Sequence, residues 1–407
     1  MKFKEVFAWA SYDLANTIFS ALFVTFFFPF YIKNFLGGNE FQIGLVFGAS
    51  MLLVAFVVPI LGSISDKLRR RMPFIIFFTV ICCVFTFLVA FAGLYAALLF
   101  GLIANFCYHA ALTMYHALLP RVSTGKNIGK VAGIGVGMGY IGTIISLIIA
   151  YPILKIIGWE TLAGTKAMLL TTALLFFLFS LIIFLIIKEK VYAKTHSLKK
   201  HIVDSLRDIK NTFIKLRAQK GLISFLFSSL FYNDAINAII IFLFLYGRDT
   251  IGLSVQKFFY IYAIFAVAAS LGAFFSGKLV DKIGAKKVLA ASGVLWIIVI
   301  IFLLKLTSVT NFIVMGSVGG IAIGMTATAS RPKLIELAPK NKMAEYFGFF
   351  ELTDKLSGVL GPVIFGYLAA SYSYSIALIS LIIFFALGLW FLRYVPNSFK
   401  ENNTPVY

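Results

Sequence analysis

Two acids set in apolar sequence, Asp13 and Asp234, are the residues best placed to do chemistry. Each is followed three positions on by an amide, Asn16 and Asn237. On a helix that spacing puts acid and amide on one face, a turn apart. A charge at the centre of a membrane helix costs about 3 kcal/mol or more, so each carboxylate must face a cavity or a partner. Two uses fit: binding a substrate or a proton, or anchoring by hydrogen bonds that hold the two parts of the protein together near an inner gate. A third cluster, Glu351-x-x-Asp354-Lys355, is the densest charge in any apolar run. Glu351 and Lys355 are four apart and can pair along a helix, which leaves Asp354 less accounted for. Counted from Met343 at about 1.5 Å per residue, Asp354 lies about 16 Å inward, near the midplane of a core about 30 Å thick. A site there with both acids and Lys355 suits a zwitterion or a coupling ion.

The fourth apolar run carries Asn105, Tyr108 and His109, with His116 seven positions further. His109 can relay protons or serve as a satisfied packing residue. The two histidines are about 10 Å apart along a helix, too far for one metal ion, and His116 at the membrane edge reads as structural. Arg331, with Thr326, Thr328 and Ser330, can bind an anion or anchor the tenth run at the inner face. Cys82, Cys83 and Cys107 lie in apolar runs without metal-ligand spacing and read as packing residues. No metal and no cofactor are expected.

The elements that carry these residues are membrane helices. The chain has 407 residues, 61% hydrophobic and 13% charged. Its dozen apolar runs of about 20 residues are too long for barrel strands and leave no room for a soluble domain. The expected spans are residues 7–35, 41–64, 73–92, 95–119, 130–153, 166–187, 222–246, 257–280, 287–306, 311–329, 343–370 and 373–394. With both termini inside, 29 of the 36 Lys and Arg fall in inner loops and tails, six fall outside, and Lys355 lies within a span. The net charge of +20 is therefore a topology signal and not a nucleic-acid footprint. The basic, apolar start imitates a signal peptide, but the run is too long and contains Asp13, so span 1 is expected to remain uncleaved.

Residues 188–220 hold ten basic residues against three acids. Leu198, Ile202, Leu206, Ile209, Phe213 and Leu216 form one apolar stripe, so this linker is expected to be a basic amphipathic helix along the inner surface. It separates two six-span bundles, residues 1–187 and 221–407. Their residues repeat: Asp13 and Asn16 match Asp234 and Asn237 at an offset of 221, and Gly62 and Asp66 match Gly277 and Asp281 at 215. Pro120 and Gly142 match Pro339 and Gly361 at 219. Nearly equal offsets, in order, indicate a parallel internal repeat.

Six plus six spans, a basic central linker and a Gly-x-x-x-Asp-basic loop after spans 2 and 8 resemble the major facilitator superfamily. Trp9-x-x-Tyr12-Asp13-x-Ala15-Asn16, His116-Ala117-Leu118-Leu119-Pro120 and Ala344-Glu345-Tyr346-Phe347-Gly348 resemble its vacuolar amino-acid effluxer-like, autophagy-related branch. The resemblance implies an all-α transporter that rocks two halves about a central site, and the residues expected to bind substrate or proton there are Asp13, Asn16, His109, Asp234, Asn237, Glu351, Asp354 and Lys355. It also implies gating loops at Gly62, Asp66, Arg70 and Arg71 and at Gly277, Asp281 and Lys282, in which the Asp reaches a helix start in the opposite half. Arg69 replaces the family's turn glycine in the first copy, whereas the second keeps Gly284. The glycines of span 5, and Gly358, Gly361 and Gly366 of span 11, are expected hinges or packing seams, with Pro362 bending span 11.

The expected activity is secondary transport of a small metabolite, amino acids first, by efflux and with protons as the coupling ion. The expected setting is a monomer among lipids of the inner (plasma) membrane, with no nucleic-acid partner. The alternatives are a lipid flippase or a non-transporting receptor on the same fold, or a membrane-embedded lipid enzyme. The last lacks any metal-ligand, phosphate-cradling or nucleophile-base spacing.

Overall fold

The computed structural model describes residues 3–68, 70–122, 128–189, 220–305, 308–338, 350 and 352–397. The expected linker helix, Pro339, Ala344 to Gly348 and Glu351 lie outside the described residues, as do the side chains of Gly62 and Asp66. Among the described residues the chain is helical and has no strand. Span 1 comprises Phe3–Phe19, a π-helical stretch Ser20–Phe27, and Phe28–Phe35. Spans 2 to 6 are Glu40–Leu68, Met72–Val89, Leu94–His116, Ile128–Ile157 and Leu162–Ile186. Spans 7 to 10 are Lys220–Ile251, Val255–Ile283, Ala285–Leu304 and Val309–Leu337, and span 12 is Tyr374–Arg393. These eleven are long and apolar enough to cross a membrane.

Span 11 is interrupted. Residues 352–356 are helical, 357–359 form a turn, and the helix resumes as Leu360–Ser371. The break falls just ahead of Pro362, whose ring would meet the carbonyl of residue 358 in a continuous helix. Placed in the first turn of the new segment, the proline lacks only an amide hydrogen that has no intrahelical partner there.

Spans 1, 5, 6, 3, 4 and 2 pack against one another, as do spans 7, 12, 11, 9, 10 and 8. Spans 2 and 11, 5 and 8, and 1 and 7 make the contacts between the two groups. Span 1 is the enclosed element: 89% of its most apolar stretch is buried by protein, against 33–56% for the other ten. Glycines permit the close approaches that this packing needs. A side-chain carbon on Gly139 would stand 2.9 Å from Thr17 Oγ1, and one on Gly142 would stand 3.0 Å from Leu14 Cα, both on span 1. Across the halves, Gly44 of span 2 lies against the Pro362 carbonyl of span 11.

One face of the bundle carries Arg70, Arg71, Arg121, Lys286 and Lys333, and it is called the basic face below. On the opposite, far face, spans 6, 8, 10 and 12 begin at short polar side chains that cap them. The Thr161 hydroxyl accepts from Gly164 N at 2.9 Å, and Ser254, Ser308 and Ser373 do the same for spans 8, 10 and 12. Asn39 and Gln42 bond reciprocally at the start of span 2, a capping box. On the basic face, span 3 has no cap of its own. Glu189, just past span 6, accepts from the amides of Arg71 and Met72 at 2.7 and 2.8 Å and pairs with Arg121 at 2.9 Å. At the second repeat, Gly284 turns the chain between spans 8 and 9 with φ +88°, a conformation that glycine adopts freely, while Asp281 and Lys282 are exposed.

Candidate functional site

Between the two groups of spans lies a cavity of about 420 Å³, a size that suits a small metabolite. Its walls are chemically unequal. The first six spans contribute Asp13, Thr17, Ser20, His116, Tyr140 and Thr143, and the last six contribute chiefly aliphatic and aromatic groups such as Phe265, Trp296 and Phe312. Arg331 is the exception on that side. Asp13 lies within electrostatic reach of both His116 and Arg331. Its position is set by tight packing on span 5: a side-chain carbon on Gly135 would stand 2.8 Å from Asp13 Oδ2. Trp9 stacks on Tyr115 at 4.7 Å and donates to its carbonyl at 3.2 Å, which fixes the start of span 1 against span 4.

The other acids expected at the site have different surroundings. Asp234 is fully buried and turns toward span 11, where its Oδ1 accepts from the Gly361 amide at 2.8 Å. It thus caps the resumed half of that broken helix with the favourable charge. Its Oδ2 is buried without a hydrogen-bond partner. Asp354 is better supplied than its spacing indicates: Asn233 donates to Oδ1 at 3.2 Å, and Lys355, almost completely buried, reaches Oδ2 at 3.1 Å. Asn233, a helical turn before Asn237, was missed as a partner because adjacency across two helices leaves no spacing signal.

Asn16 is buried and neither of its amide atoms has a hydrogen-bond partner, while Asn237 is half-buried. His109 of span 4 lies within electrostatic reach of Lys355 of span 11. The structure therefore separates the expected residues into a cavity wall at Asp13, an Asn233–Asp354–Lys355 cluster, and a cap at Asp234. His116, expected to be structural, lines the cavity.

The far face joins the halves. Lys33, at the end of span 1, pairs with Glu40 of span 2 and Asp249 of span 7. The Tyr374 hydroxyl lies 2.7 Å from Glu40 Oε1 and 2.8 Å from Asp249 Oδ2. A second tie links Arg248 to Glu160 at 3.1 Å, and Glu160 also accepts from the Val255 amide at 2.9 Å. Beneath these charges Phe26, from the π-helical stretch, packs on Phe258, Phe259 and Tyr262 of span 8 at 4.9, 5.3 and 5.0 Å. The cavity is thus sealed from the far face by ion pairs over an aromatic layer. The signal in the sequence was a set of opposite charges at the ends of consecutive spans, which a count of Lys and Arg alone passes over.

Residues 41–403 match the family model described as "Vacuole effluxer Atg22 like". The chain belongs to this family. Across 99% of both chains it is 27% identical to the uncharacterized MFS-type transporter YxiO of Bacillus subtilis. It is 25% identical to autophagy-related protein 22-1 of Aspergillus fumigatus over 67% of its own length and 49% of that protein's. In fold it is similar to an inward-facing, unoccupied bacterial homologue of the human lysosomal transporter Spinster, with a TM-score of 0.74, 16% identity and coverage of 97% and 98% of the two chains. The protein is a multi-pass membrane transporter of the major facilitator type, acting on a small molecule.

Proposed function

We propose that the protein is a proton-coupled secondary transporter that moves amino acids by alternating access, in the efflux direction. The observation that carries this reading is the cavity itself. It lies between two six-span halves, is sealed at the far face, and is lined by an acid and an arginine from opposite halves together with an apolar wall. Such a lining suits a molecule with both charges on a small apolar body. The family description, an effluxer of the vacuole, supports the direction.

The basic face is cytoplasmic on this reading, both termini lie there, and the membrane is the plasma membrane. Rocking of residues 1–187 against 221–407 opens and closes the far face. Asp13 and Asp234 are the proposed coupling acids. Asn16, Asn237, His109, Asp354 and Lys355 line the path between the halves in other stages of the cycle.

The test is uptake of a labelled amino-acid mixture by proteoliposomes, with and without an imposed proton gradient, for the wild type, D13N and D234N. Gradient-driven accumulation that is lost in either variant supports the reading. Absence of both accumulation and counterflow in folded protein removes it and brings lipids to the head of the search.

A further inference from the structure

We propose that Arg331 holds the carboxylate of the transported molecule while Asp13, from the opposite half, holds its ammonium group; this assignment rests on the amino-acid reading above. Among the described lining residues Arg331 is the only lysine or arginine, and it is exposed. Its planar fork of donors matches the two oxygens of a carboxylate.

The neighbouring hydroxyls are committed elsewhere. Thr328 Oγ1 donates to the Ala273 carbonyl at 3.2 Å, Ser330 Oγ to that of Thr326 at 2.7 Å, and Thr326 Oγ1 to that of Ala322 at 3.0 Å. Anchoring this end of span 10 is also accounted for. Lys333, fully buried two residues on, reaches Glu336 and the Pro396 carbonyl, both at 2.7 Å, and the Asn397 carbonyl at 3.2 Å. Recognition of an anion is what remains for Arg331 at the cavity. On the opposite wall Asp13 is the only acid among the described lining residues, and it lies within electrostatic reach of Arg331. A molecule seated between them is read at both charges, and the apolar wall takes its body.

The rival role for Arg331 is a latch that pairs directly with Asp13 when the cavity closes. Binding by the full-length protein in detergent separates the two, followed by quenching of tryptophan fluorescence with Trp296 on the cavity wall. The probes are phenylalanine, 3-phenylpropionate, which lacks the ammonium group, and phenethylamine, which lacks the carboxylate. In R331Q, affinity for 3-phenylpropionate is expected to fall about tenfold or more, with a much smaller change for phenethylamine. D13N should show the reverse pattern, and R331K, which keeps the charge without the fork, should fall between wild type and R331Q. Equal losses for all probes in R331Q, or no change, overturn the carboxylate assignment while wild-type binding of phenylalanine leaves the amino-acid reading standing. Wild-type protein that binds none of the three removes both.

Discussion

The Asp234 carboxylate and the Gly361 amide meet at 2.8 Å within the membrane, two residues past the turn that interrupts span 11. The two helices approach so closely there that a side-chain carbon on Gly361 would stand 2.7 Å from the Asp234 carbonyl carbon. Acid and glycine therefore act as one unit: the glycine admits the backbone of span 7, and the acid satisfies the amide that the break exposes.

Removing the cap should cost stability. D234A is expected to lose about 1–2 kcal/mol, the usual worth of a helix cap, and D234N, which keeps an acceptor oxygen, should lose less. Thermal unfolding in detergent reads the difference. A D234A protein as stable as wild type would mean that the cap contributes nothing.

Gly361→Ala should destabilise by about 1–3 kcal/mol, since spans 7 and 11 must separate to admit the methyl group. Gly137→Ala is the control, because an added carbon there meets nothing within 4 Å. The yield of folded protein and its unfolding temperature, compared between the two variants, check this.

The far-face ties should hold the cavity shut on that side. K33A and R248A together are expected to raise the rate at which a thiol placed at position 17 reacts with an impermeant reagent from the far side. Each exposed or half-exposed pair is worth about 0.2–1 kcal/mol, so the expected rise is several-fold. Cys82, Cys83 and Cys107 are buried and keep the background low. An unchanged rate would place the seal in the aromatic layer beneath.

Lys333 ties the end of span 10 to the end of span 12, and Lys286 does the same from span 9 through the Arg393 carbonyl at 3.1 Å. K333A leaves Glu336 and two carbonyls without their cation and should cost about 1–3 kcal/mol. K286A, at a more exposed position, should cost less. Unfolding midpoints of the two variants rank them.

Span count and the internal repeat were legible in the sequence because both rest on local signals, hydropathy and spacing. Gly142 and Gly361, matched at one offset, make the same kind of contact: Gly142 lies on the backbone of Leu14, next to Asp13, and Gly361 on that of Asp234. Local spacing could not show that the two acids then diverge. Asp13 faces a cavity because span 5 is continuous beside it, whereas Asp234 is claimed by an amide that the interruption of span 11 releases. Lys355 meets Asp354, which Asn233 on another helix also holds, and no spacing within span 11 announces that second partner. The cap that Glu189 supplies to span 3 spans more than a hundred residues of sequence, and no pattern within either segment announces it.

The unequal walls of the cavity bear on how its selectivity can be changed. The first six spans supply most of the hydrophilic lining, and the last six supply nearly all of the aliphatic and aromatic surface. Substitution at Phe265, Trp296 or Phe312 can therefore reshape the cavity for cargo of a different bulk while the polar wall opposite stays intact.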